Sequence, residues 1–109
     1  MAEETTKDGR HYLADVTEVL AAVGPKLDAG RQAKIEELTT RGERVQKKLF
    51  LKTQGGTDLA AKAADIATKL KSEVDAGAPE ADINKTFDEL VEALEFFIHR
   101  AETLVIRMT

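Results

Sequence analysis

Residues Pro79 to Met108 read PEADINKTFDELVEALEFFIHRAETLVIRM, and this stretch decides the fold. Ile83, Phe87, Leu90, Leu94, Phe97, Ala101, Leu104 and Met108 recur at alternating steps of four and three. That spacing lays one apolar stripe along an α-helix, the a/d pattern of a bundle seam. Val91, Ile98 and Val105 repeat beside it and widen the stripe into a face suited to a globular core. A face this long cannot stay wet, so the rest of the chain must supply surface to cover it.

The composition agrees. A chain of 109 residues, 42% hydrophobic and 33% charged, fits one domain with a helical core. Aromatics reach only 5% and Trp is absent, so the core must be mostly Leu, Val, Ile and Ala. Two prolines leave room for long helices. A net charge of -4 weighs against a whole-surface nucleic-acid binder. With no cysteine there are no disulfides, thiolate metal sites or cysteine nucleophiles. Residues 1–10 contain no apolar segment of a signal peptide, and no run approaches the roughly 18 apolar residues of a membrane span. The expectation is a soluble, cytoplasmic protein.

Upstream of the deciding stretch, three more helical patterns can be read. Thr5 or Thr6 is placed to cap the first, where Tyr12, Val16, Val19 and Val23 form a seam flanked by Leu13, Leu20 and Leu27. Gly24-Pro25 interrupts it. Because Leu27 keeps the seven-residue repeat and Leu27-Asp28-Ala29-Gly30 resembles a glycine-capped end, the favoured reading is a helix kinked there and finishing near Ala29. A break at Val23 is the runner-up. A second helix follows with Ile35, Leu38, Gly42, Val45 and Leu49 on its seam, where Gly42 implies a bend or a close neighbour. Thr53-Gln54-Gly55-Gly56 reads as the most flexible connection, with Thr57 as the next N-cap. The third helix carries Leu59, Ala63, Ile66 and Leu70, flanked by Ala60, Ala67 and Val74, and ends at Gly77. Pro79, Glu80 and Asp82 suit the first turn of the last.

A shift of 47 residues superimposes the first pattern on the third, including the two Asp-Ala-Gly triplets, as a weak internal repeat. The fold class expected is all-α: one domain over residues 1–109, an antiparallel up-down four-helix bundle of two helical hairpins. Its helices are expected over about 6–29, 31–53, 57–76 and 79–108.

No phosphate loop, Gly-x-Ser-x-Gly or His-Glu-x-x-His motif is present. We therefore expect no enzyme and no cofactor. The informative residues are apolar ones outside the seams: Phe96 and Ile106 on the outer face of the last helix with His99 between them, and Phe50 and Leu51 in the run Leu49-Phe50-Leu51. Such leftovers gather at partner surfaces. The expected function is a non-enzymatic interaction module contacting a protein partner or a second copy of itself. Two alternatives are weighed. Glu95 with His99, and His11 from the first helix, could bind a metal or small ligand. Arg41, Arg44, Lys47, Lys48 and Lys52 could meet nucleic acid or a membrane surface, which fits less well because Phe50 is the only nearby stacking aromatic. In a simple up-down bundle the second and fourth helices lie diagonally, so these cations would not meet the acids of the last helix.

Overall fold

The computed structural model describes residues 8–104, and its regular elements are all helical. The α-helices are α1 (Gly9–Val23), α2 (Ala29–Val45), α3 (Gln54–Ala76) and α4 (Glu80–Thr103), with 3₁₀ turns at Gly24–Lys26 and Leu49–Lys52. Together they form the expected four-helix bundle.

Each boundary has a local cause. Asp8, rather than a preceding threonine, caps α1: its Oδ1 accepts from the Arg10 backbone N–H at 2.9 Å, while its own N–H donates to His11 Nδ1 at 3.1 Å. Thr5 and Thr6 lie outside the described residues. At the other end the helix breaks at Val23, not near Ala29, because Pro25 has no N–H to donate and sits within the 3₁₀ turn that follows. Leu27 is extended (φ -106°, ψ 166°) yet buried, so it joins the core without belonging to the helix. Asp28 then caps α2 by accepting from the Arg31 N–H at 2.9 Å. Asp28-Ala29-Gly30 therefore begins a helix, whereas Asp75-Ala76-Gly77 ends one. At Gly77 the backbone is left-handed (φ 72°), and the N–H groups of Gly77 and Ala78 donate to the carbonyls of Val74 and Glu73. The two triplets have opposite roles, so the apparent repeat fails at its ends.

The second expected helix is cut short. α2 stops at Val45, the chain turns extended at Lys48, and the 3₁₀ turn drives Phe50 and Leu51 inward to 5% and 0% exposure. The Phe50 ring lies 6.1 Å from that of Phe97, tilted by 33°. Thr53, not Thr57, caps α3: its hydroxyl oxygen accepts from Gly56 N–H at 3.0 Å while its O–H donates to the Phe50 carbonyl at 2.7 Å. Gly55 and Gly56 are thus the first turn of α3 rather than a flexible link. Gly56 is buried under the Phe50 carbonyl, and a Cβ there would sit 1.9 Å from that oxygen. At the far end, the described part of α4 closes at Thr103, and residues 105–108 of the expected helix lie outside the described residues. Leu104 turns extended (ψ 123°) and is 40% exposed.

The helix neighbours follow from side-chain size. α3 packs on both α1 and α4, and Ala60, Ala63 and Ala67 are its buried residues along most of that length. Small side chains let two helices approach one, one on each flank. α1 and α3 start together, since Gly9 and Gly56 both press on the backbone of Leu51. α3 and α4 are joined by the short Gly77–Pro79 connection and run antiparallel. α2 lies antiparallel to α1, with Leu13 against Gly42 and Gly24 against Ile35. It is the Leu13 side chain, not a backbone, that fills the space over Gly42. α2 also packs beside α4, not diagonally to it. Around the bundle the order is α1, α3, α4, α2, and the core is the buried stripe of each helix plus Leu27, Phe50 and Leu51. Each fully buried Leu, Ile, Val or Phe contributes about 1.5–3 kcal/mol relative to exposure.

Candidate interaction surface

α4 turns Phe87, Leu90, Leu94, Phe97, Ile98 and Ala101 inward. The residues between them on the α3 side are left at the surface, and Phe96 is 52% exposed. Arg100 places its guanidinium 6.0 Å from the centroid of that ring. Between α3 and α4 runs an open groove of about 500 Å³ lined by Leu59, Lys62, Ile66, Glu89, Glu92, Ala93 and Phe96. The antiparallel sense of the two helices puts Leu59 at the Phe96 end and Ile66 at the Glu89 end. Leu59 and Ile66 are half-buried. Sequence reasoning placed both on the core seam of α3 and missed them as surface. The signal was present: Ala60, Ala63 and Ala67 fill the inner face, leaving the larger side chains to its edge.

Of the residues singled out from sequence, Phe96 and His99 are exposed as expected. Ile106 lies outside the described residues. Phe50 and Leu51 are corrected: both are core side chains, because the chain leaves helix α2 in order to bury them, and neither can touch a partner.

The metal alternative gains no support from the geometry. Glu95 Oε2 accepts from Lys34 Nζ at 2.7 Å, and His11 Nδ1 accepts the Asp8 N–H within the α1 cap. Among the described residues no group of three or more His, Asp or Glu is placed to hold an ion. His99 shares its end of α4 with Glu102, whose carboxylate is taken by Arg41.

The charged edges of α2 and α4 meet. Arg31 Nη2 reaches Asp88 at 3.1 Å, Lys34 reaches Glu95, and Arg41 forms a two-point pair with Glu102 at 3.0 and 2.9 Å. The Arg41 bonds hold the Glu102 carboxyl below its ordinary range, and Glu102 in turn raises Arg41. Lys34 is raised first by Glu95 and then by Glu37, and Arg31 by Asp28 and then Asp88. Arg31 also lies 5.9 Å over the Phe87 ring. Arg41 is therefore withdrawn from the basic patch, leaving Arg44, Lys47, Lys48 and Lys52 exposed. Lys47 and Lys52 line a shallow depression with Gln46 and Arg10, and Arg10 is bound to Asp8 through Nε and Nη2. With Phe50 buried, no aromatic of this segment is available for stacking on a base.

No helix among the described residues is long and apolar enough to cross a membrane. No protein-family model matches the sequence, and neither a curated protein nor a solved structure matches the chain.

Proposed function

We propose that the chain is a non-enzymatic interaction module that presents the α3–α4 groove to another folded protein surface. The observation that carries this reading is Phe96, a large aromatic 52% exposed mid-helix, beside half-buried Leu59, Ile66 and Ala93. A ring held this way, with polar residues around it, has the form of an interface anchor. The groove between two helices also matches the site that an incoming helix fills in helix-in-groove recognition. Supporting the non-enzymatic reading, Asp8 and Asp28 cap helices, and Asp88, Glu95 and Glu102 tie α2 to α4. Each already has a structural role.

The test is site-specific cross-linking. A photoreactive phenylalanine analogue at position 96 should give a discrete protein adduct in the native source, mapping back to the groove. The same probe at exposed Ala33, on α2 and away from the groove, serves as control. Equal, diffuse labelling at both positions would sink the reading.

A further inference from the structure

We infer that α2 is a strap: it opens from the bundle as one unit, between fixed ends, while α1, α3 and α4 stay packed. α2 is the helix least packed against the others, whereas α3 holds α1 and α4 closely, one on each flank. Along its length α2 buries only Ile35, Leu38 and Val45 as large side chains, and its fourth buried position, Gly42, has no side chain to contribute. The apolar surface that α2 covers is therefore small, and so is the hydrophobic cost of uncovering it.

Charge supplies the rest of its attachment. Arg31, Lys34 and Arg41 lie along one edge of α2 and bond to Asp88, Glu95 and Glu102 of α4 at 3.1, 2.7 and 2.9 Å. All six side chains are partly exposed, so salt reaches them and each pair holds only as firmly as a surface ion pair does.

Both ends of α2 are already uncoupled from their neighbours. Before it, the 3₁₀ turn and extended Leu27 interrupt the helical hydrogen bonding of α1; after it, the chain turns extended at Lys48. Next to these breaks, Leu27 on one side and Phe50 and Leu51 on the other are buried in the core. The breaks serve as hinges and the buried residues as anchors, so α2 can leave without dragging α1 or α3 with it. Its release bares Leu13 on α1, which packs over Gly42, and Ile98 on α4, which helical spacing puts between Glu95 and Glu102 on the paired edge. The α3–α4 groove, on the other edge of α4, is untouched, so the strap stands or falls separately from the reading of Phe96.

The experiment is native-state hydrogen exchange on the full chain, read residue by residue by NMR. Corrected for intrinsic rates, the amides of Leu38 and Val45 in α2 should exchange at least about tenfold faster than those of Leu70 in α3 and Leu90 in α4, as in a locally opening unit. Ala63→Gly weakens the helix that α1 and α4 share, by a propensity loss worth about fivefold in the opening equilibrium. It should speed exchange at Leu70 and Leu90 and leave Leu38 and Val45 unchanged, because the strap opens with that core intact. Lys34→Gln combined with Arg41→Gln should speed exchange at Leu38 and Val45 about fivefold, and high salt should act on the natural chain in the same direction. Far-UV circular dichroism checks that each variant is folded.

If the α2 amides exchange no faster than those of α3 and α4, and all respond alike to Ala63→Gly, the bundle opens in a single step and the strap is overturned. If α2 opens separately but ignores both the double variant and salt, the ion pairs are not its clasp and that part of the inference is overturned.

Discussion

Adding one methyl group at position 55 or at position 56 should have opposite effects. Both glycines lie in the first turn of α3, and in a helix Ala is favoured over Gly by about 1 kcal/mol. At Gly55 a new Cβ meets nothing within 4 Å, so Gly55→Ala should stabilise by about 0.4–1 kcal/mol. At Gly56 the same Cβ would lie 1.9 Å from the Phe50 carbonyl oxygen, 2.8 Å from its carbon and 3.2 Å from Leu51 Cα. All three are backbone atoms, so relief requires the 3₁₀ turn to withdraw by about 1.5 Å to reach ordinary contact. That motion pulls Phe50 from Phe97 and Leu51 from the core. Overpacking of this kind costs about 1–3 kcal/mol, and partial exposure of two large apolar side chains adds to it. After the gain in propensity, Gly56→Ala should destabilise by about 2–4 kcal/mol. For a chain of this size that lowers Tm by roughly 10–20 °C. Urea and thermal melts followed by far-UV circular dichroism measure both variants. If Gly56→Ala is as stable as Gly55→Ala, the tight approach is wrong and the Gly-Gly pair is the loose connection its composition suggests.

Three further outcomes follow from individual side chains. Phe50→Ala should cost about 3–5 kcal/mol, as a buried phenylalanine does, whereas Phe96→Ala should change monomer stability by less than about 0.5 kcal/mol; paired urea midpoints decide this. Asp8 has its pKa lowered from 3.8 to about 2, chiefly by the Arg10 side-chain bond. A depressed carboxylate contributes stability that is full above its unfolded value and lost as pH falls through the folded one. Asp8→Asn keeps a good cap but removes the charge, so it should cost about 1 kcal/mol at neutral pH after allowance for solvent screening. That cost should vanish between about pH 4 and pH 2, read from melts across the acid range. A double-mutant cycle with Arg41→Gln and Glu102→Gln should give a coupling of about 0.5–1 kcal/mol that shrinks in high salt. Coupling below the error of the cycle at low salt would count against a formed pair.

How much of this was legible in the chain depends on what each signal encodes. The run from Phe87 to Ala101 was readable because helical period alone decides which side is buried, and all of its seam residues are. Gly77 was readable because a left-handed residue at a helix end is nearly specific to glycine. Asp-Ala-Gly was not, since the same letters cap a start or finish an end according to what precedes them. Before Asp28 a proline has already stopped the helix. Before Asp75 the α3 stripe is still running to Val74. Leu49-Phe50-Leu51 misled for a related reason. Leu49 continues the period of α2, but three adjacent apolar residues cannot share one helical stripe, and the chain satisfies them by changing conformation.

Which helices touch is the hardest matter to read, because one apolar stripe packs against another with little preference. Charge carried the missing information. Asp88, Glu95 and Glu102 recur every seventh residue along one edge of α4, and Lys34–Glu95 and Arg41–Glu102 share the same sequence offset of 61. A constant offset is the mark of two helices running parallel and in register; antiparallel neighbours would hold a constant sum instead. The acids fix where α4 meets α2, and the edge next to α3 is left with another set of charged residues around Phe96, among them Lys62, Glu89, Glu92 and Arg100, none of which joins an ion pair among the described residues.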